Sequence, residues 1–276
     1  WASKLFRNKQ QLHQFKNLTN HGNEVAFGMI GDASTSEGHF WETVNAAAVL
    51  KVPMALSVWD DGYGISVPQK YQTAKQSISE ILNGFKTDDK GKGILIYKGK
   101  GWDYPELVKM YQEGIQKCRE EQTPVLFHIE EMTQPQGHST SGSHERYKSA
   151  ERLEWEKEFD PLKKMREWLI DADIASADEL DRIEEEAKQK AKDAKKTAWK
   201  NYITPLKNER DELVKIIDNR SCVCKNQNID KVGILTDELK KVMHPIRKDN
   251  FSYAKKILRH VCLDCSIRKK LQADLS

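Results

Sequence analysis

Two acidic loop ends, each placed directly after a short apolar run, constrain this chain more than any other feature. Residues 24–30 and 53–59 are rich in Val, Ala, Phe, Met, Leu and Ile and read as short buried strands. The first runs into GDASTSEG at 31–38 and the second into DDGY at 60–63. Asp32 and Asp61 stand twenty-nine positions apart, which is the length of one strand–helix–strand unit. That spacing brings both carboxylates to the same edge of a parallel sheet, where they can share one divalent cation.

The segment between them reads as a helix over 37–50. Ser34 followed by Glu37 has the spacing of a capping box, in which the two side chains satisfy each other's backbone donors at a helix start. Such a start aims unpaired N–H groups and the positive end of the helix dipole at the space beyond Asp32, which suits a phosphate. Asp32 itself repels phosphate, so a hard cation such as Mg²⁺ is expected between them. Oxygen ligands from Asp32, Asp61 and a loop carbonyl suit that ion. Taken alone, Asp60-Asp61-Gly62 is an ordinary turn and Asp32 an ordinary strand-end cap; the spacing is what turns the pair into a candidate site.

These residues carry a family resemblance. GDASTSEGHFWETVNAAAVLKVPMALSVWDDGYGISVP at 31–68 resembles the thiamine-diphosphate motif in the alpha subunit of 2-oxo acid dehydrogenases, especially the branched-chain (2-oxoisovalerate) type. GHSTSGSHERYK at 137–148 resembles that family's histidine-bearing loop, and the similarity runs from about residue 23 to 169. By position, the resemblance implies that Asp32 and Asp61 give metal oxygens and Tyr63 its main-chain carbonyl. Ala33 and Ser34 would offer amides to the diphosphate, and His138 would be the catalytic group beside the thiazolium ring. The implied cofactors are thiamine diphosphate and Mg²⁺. The implied reaction is oxidative decarboxylation of a 2-oxo acid, with the acyl unit passed to the lipoyl group of an acyltransferase component. Branched-chain substrates are the first choice and pyruvate the second. A beta subunit, or a fused beta half, would supply the glutamate that activates the aminopyrimidine. A transketolase-like enzyme and a degenerate, non-catalytic scaffold are the alternatives. The departures from the family pattern are Ala33 for its usual glycine, Asp60 and Asp61 for its paired asparagines, Gln134 for a common arginine and Gly142 for a common aspartate.

The rest of the chain continues the alternation. Residues 74–82 read as a short helix, 93–97 as a strand, 104–121 as a helix and 124–132 as a strand. The expected fold is α/β: a doubly wound parallel sheet of the thiamine-diphosphate-binding kind, with ligands beyond the carboxyl ends of the strands. It occupies residues 1–149 and is expected to be incomplete at its N-terminal side, since Trp1 replaces an initiating methionine and 1–15 reads as the tail of a helix. Residues 150–276 read as a helical extension or linker, with a narrow apolar stripe at Leu180, Ile183, Ala187, Ala191, Ala194 and Ala198.

Charge nearly balances, 45 Lys+Arg against 42 Asp+Glu, so nothing in it calls for nucleic acid. There is no apolar run of the roughly 18 residues a membrane span needs and no signal-like segment, so the expected location is the cytoplasm. Cys222 with Cys224 and Cys262 with Cys265 have the spacing of zinc thiolates. Ala254, Ile257, Leu258, Val261, Cys262 and Cys265 also fall on one helical face, so the second pair reads as packed side chains. Cys118 has no partner in sequence, and five cysteines without a secretion signal point to reduced thiols. His144 reads as exposed. Ser139, Thr140 and Ser141 are alternative phosphorylation targets.

Overall fold

The computed structural model describes residues 1–137, 143–218 and 228–274. It divides into two compact units, Trp1–Ala177 and Asp178–Ser276.

The first unit is built on four parallel strands, β1 (Ala26–Gly31), β2 (Met54–Trp59), β5 (Leu95–Lys100) and β6 (Val125–Glu130), in the spatial order β1-β2-β6-β5. A two-stranded antiparallel ribbon, β3 (Tyr63–Gly64) and β4 (Val67–Pro68), follows β2. Strand β6 shows why helices must cover both faces of the sheet. Its Val125, Phe127 and Ile129 point to one side and pack with Met110 and Cys118 of α4 (Tyr104–Glu121). Leu126 points to the other side and joins Phe40 and Val44 of α2 (Gly38–Leu50) and Ile78 of α3 (Ile78–Ile81). A strand buried on both faces reads as a continuous apolar run, as this one does.

Helix α4 spans the expected residues because its signals are complete. The Asp103 carboxylate accepts the Glu106 N–H at 3.1 Å, a proline lies in the first turn, and Gln122 closes the helix in the left-handed conformation. The helix lies close to the sheet at Gly114, where an added Cβ would meet Phe127 Cε1 at 2.5 Å.

Helix α2 starts differently from the expectation. The chain makes a 3₁₀ turn over Ala33–Ser36, and α2 begins at Gly38 with Glu37 as an extended N-cap that makes no side-chain cap bond. The Ser34–Glu37 capping box is therefore absent. Thr35 Oγ1 donates instead to the Asp32 carbonyl at 2.5 Å, which ties the turn back to the strand end. The short helix expected at 74–82 is also divided, because Lys75 and Gln76 have positive φ ahead of α3. At the start of the chain, α1 (Ala2–Asn8) ends well before residue 15.

The first unit extends past residue 149, where the sequence placed a boundary. Helices α5 (Ala150–Glu158) and α6 (Pro161–Asp171) belong to it through ring contacts, Trp102 with Phe159 at 5.0 Å and Tyr104 with Trp168 at 5.5 Å. On the opposite side the unit is open. Strand β1 is an edge strand among the described residues, and its Phe27 and Met29 are 50% and 61% exposed.

The second unit is helical: most of α7 (Ala177–Asp218), then α8 (Ile229–Lys241), α9 (Arg247–Leu258) and α10 (Ser266–Asp274). Its core gathers Leu213, Val214 and Ile217 from the end of α7 with Leu235 and Leu239, Ile257 and Leu271. The stripe from Leu180 to Ala198 takes no part in that core, and Ile183 stays exposed. Cys265 is buried in the cluster and Cys262 packs against it, whereas Cys222 and Cys224 lie outside the described residues. Among the described residues no helix is long and apolar enough to cross a membrane.

Candidate functional site

Strands β1 and β2 run side by side in register, Gly31 opposite Trp59, and the Asp32 N–H donates to the Trp59 carbonyl at 3.0 Å. The two acidic loop ends therefore leave the same edge of the sheet. A cleft of about 700 Å³ opens there, and Asp32, Ala33, Ser34, Asp61 and Tyr63 all line it together with Gln134 and Thr133. Five of the six expected site residues thus meet. His138 lies outside the described residues, as do Ser139, Thr140, Ser141 and Gly142.

The Asp32 and Asp61 carboxylates are poised by burial and by the charges around them. Asp32 is 3% exposed, and burial, reinforced by repulsion from Asp60 and Asp61, raises its carboxyl pKa to about 7. Burial also raises that of Asp61, against the Tyr63 N–H bond and the nearby Lys148 and Arg152 charges, which pull the other way. A cation between such groups would remove the repulsion. Among the described residues no three His, Cys, Asp or Glu side chains converge into a metal cage. The cleft lining instead offers hard oxygens, the Asp32, Asp61 and Glu37 carboxylates with the Ser34 and Thr133 hydroxyls, and this fits an ion such as Mg²⁺, which keeps water and phosphate oxygens in its shell.

Asp60 behaves unlike its neighbour. It is buried outside the cleft lining and accepts three hydrogen bonds: His128 Nε2 at 2.9 Å, Gln69 Nε2 at 2.7 Å and the Gly62 N–H at 2.9 Å. Burial pushes its pKa up, but the bonds from His128 and Gln69 outweigh it and the carboxyl lies below its ordinary value. The paired aspartates therefore do not place two charges in the cleft, because only Asp61 faces it.

Ala33 is accommodated by a glycine opposite. A Cβ at Gly64 would come within 2.8 Å of the Ala33 methyl and closer still to the Gln72 amide. The methyl group that departs from the family pattern thus occupies space that Gly64 leaves free.

Beneath the DDGY turn lies an ion network the sequence did not reveal. Glu156 Oε1 receives Lys148 Nζ at 2.7 Å and Arg152 Nε at 2.8 Å, and Arg152 Nη2 donates to the Asp61 carbonyl at 2.9 Å. Lys148 Nζ also lies 5.1 Å from the centre of the Tyr63 ring. The segment after the second motif is thereby fastened to the turn of the first. The available signal was the Arg152–Glu156 spacing of four on one helix; the lysine partner had none. His128 was missed as well, although a histidine inside an apolar strand must find polar partners. His144 is half-buried rather than exposed.

Comparison with known proteins gives the chain's family. Residues 6–207 match the family described as dehydrogenase E1 component. The pyruvate dehydrogenase E1 component subunit alpha of Rickettsia bellii is 24% identical over 202 residues, which cover 73% of this chain and 58% of that protein. The mitochondrial 2-oxoisovalerate dehydrogenase subunit alpha 2 of Arabidopsis thaliana is 31% identical over 196 residues, covering 66% and 40%. The Staphylococcus aureus pyruvate dehydrogenase E1 component subunit alpha is 31% identical over 179 residues, covering 64% and 46%. The chain spans about half the length of these curated relatives.

Proposed function

This chain belongs to the dehydrogenase E1 component family, and from that premise we propose that its cleft holds thiamine diphosphate through a divalent cation. The protein would then be the alpha-type part of a thiamine-dependent 2-oxo acid dehydrogenase. The observation that carries the reading is the meeting of Asp32 and Asp61 on one cleft at the carboxyl ends of adjacent parallel strands, both with raised pKa values.

In this reading Asp32, Asp61 and the Tyr63 carbonyl hold Mg²⁺, and the backbone amides of Ala33 and Ser34 meet the diphosphate. When bound, the cofactor supplies the electron sink for loss of carbon dioxide from the 2-oxo acid. The chain supplies position and charge around it. Trp59, Ile65, Val67 and Met132 give the cleft an apolar flank. His138 is assigned as the acid–base group for acyl transfer to a lipoyl acceptor. A beta subunit or fused beta half completes the site, and the acyltransferase component receives the acyl group.

Branched-chain 2-oxo acids are the first substrates to test and pyruvate the second, since relatives named for each were found. The cytoplasm is the proposed location. The experiment is calorimetry of thiamine diphosphate with and without Mg²⁺ on the complete assembly, followed by decarboxylation assays with 3-methyl-2-oxobutanoate and pyruvate. Binding that is equally tight in excess chelator would refute the cation anchor. Turnover of pyruvate alone would move the substrate to the second choice.

A further inference from the structure

We propose that Asp60 and His128 are positioning residues that hold the DDGY turn in the shape that presents Asp61 and Tyr63 to the cation. The inference rests on the cofactor reading above and extends it to two side chains that do not face the cleft.

Asp60 is the hinge of the turn. Its N–H donates to the Ile129 carbonyl at 2.8 Å, and its carbonyl accepts from the Met132 N–H at 3.0 Å, so its backbone is stitched to the end of β6. Its side chain supports the turn from beneath: Oδ1 takes the Gly62 N–H and Oδ2 takes both Gln69 and His128. Gly62 itself has φ 79°, a left-handed conformation that glycine adopts without a steric penalty and that this bond selects among the many open to it. Gln69 also donates its backbone N–H to the Gly62 carbonyl at 2.9 Å, so the turn is gripped from both sides.

His128 is fully buried, and both ring nitrogens are engaged. An ionised Asp60 only accepts, so Nε2 carries the proton that it shares with Asp60. Nδ1 is hydrogen-bonded to the Ser79 hydroxyl at 2.9 Å, and Ser79 Oγ lies 3.2 Å from Ser77 Oγ. Glu130 Oε1 stands 3.5 Å from the same nitrogen. The chain of bonds runs from α3 through the sheet to the turn, and it fixes the imidazole in one orientation. Residues that orient cation ligands from behind in this way are worth about 10–100-fold in metal affinity.

Hydrogen bonding, not charge, is the expected basis. In Asp60→Asn the amide can donate to His128 Nε2, the histidine proton then moves to Nδ1 and is donated to Ser79, and Gln69 rotates its amide to accept. The turn keeps its bonds and loses one charge.

The test is Mg²⁺ titration by calorimetry at saturating thiamine diphosphate, on the full-length protein in its native assembly, with circular dichroism and Tm recorded for each variant. Asp60→Ala and His128→Asn are expected to weaken Mg²⁺ about 10–100-fold at temperatures well below their Tm. Asp60→Asn is expected to stay within about three-fold of the parent, the rescue that the rearranged bonds predict. Should Asp60→Ala and His128→Asn fail to fold, Ser79→Ala decides, with a loss of about three-fold or more expected from freeing the imidazole and unchanged affinity overturning the inference. Parental affinity in folded Asp60→Ala and His128→Asn also overturns it. Equal losses in Asp60→Asn and Asp60→Ala overturn it in favour of a direct charge effect. Absence of any Mg²⁺-dependent cofactor binding in the parent protein brings down the cofactor reading itself, an outcome distinct from the others.

Discussion

The floor of the cleft and the exposed length of α7 use the same residue types to opposite ends. In the cleft, Asp32 and Asp61 are held where burial raises the pKa of both, Asp60 and Asp61 adding to the rise at Asp32, and behind Asp61 Glu156 takes two cations on one oxygen. Along α7, Lys188 pairs with Glu184 and Glu185 with all three side chains more than half exposed. Burial makes a carboxylate's partner matter, because an unpaired charge there is costly, whereas in solvent the same pair adds little to stability. The contrast teaches that charge density along a sequence says little until the dielectric around it is known.

The largest expected effect removes the cleft's central charge. Asp32→Ala should lower metal-dependent binding of thiamine diphosphate by at least about a hundredfold, since losing a direct ligand should cost no less than losing a residue that orients one, with the fold retained by circular dichroism. The same residue gives a pH signature in the metal-free protein. Its folded pKa of about 7 lies above the ordinary 3.8, so between those values the native state holds a proton that the unfolded state has released. Stability of the metal-free protein should therefore fall as pH rises through that window. Asp32→Asn should flatten this dependence in Tm measurements from pH 4 to 8, and an unchanged slope would show that Asp32 is not its source.

A smaller but still large effect belongs to the buried network. Glu156→Ala leaves Lys148 without its partner in the interior, and this should cost about 3–5 kcal/mol in urea unfolding of the first unit's transition. A loss near zero would place Glu156 with the solvated charges of α7. Gly114→Ala comes next, at about 1–3 kcal/mol, because its methyl group would press on Phe127. The smallest effect is expected on α7 itself: Lys188→Ala should change stability by less than about 0.5 kcal/mol, and a larger change would erase the comparison.

The sequence was most legible where local pattern and tertiary structure agree. The strands at 26–31, 54–59 and 125–130 and helix α4 carry their own signals, and the meeting of Asp32 with Asp61 follows from one strand–helix–strand spacing. Legibility failed where a residue's partner comes from far along the chain. Asp60 and His128 are 68 positions apart, and no periodicity links them. The capping box failed for a nearer reason: the chain needs a 3₁₀ turn to leave β1 before α2 can start, and in that turn the Glu37 N–H goes to the Ser34 backbone carbonyl instead of to its hydroxyl. The stripe on α7 has helical spacing, yet from Ile183 to Ala198 it is exposed among the described residues, since spacing reports a face and not what covers that face.

Strand β1 has a practical consequence for anyone handling this protein. Its outer row of N–H and C=O groups has no strand beside it among the described residues, and Phe27 and Met29 on it are both at least half exposed. An edge of this kind accepts whatever extended peptide reaches it first, and apolar neighbours make the adhesion stick. Residues 1–177 expressed alone should therefore form soluble aggregates that grow with concentration. A lysine at Met29, pointing into solvent, is the simplest gatekeeper against them.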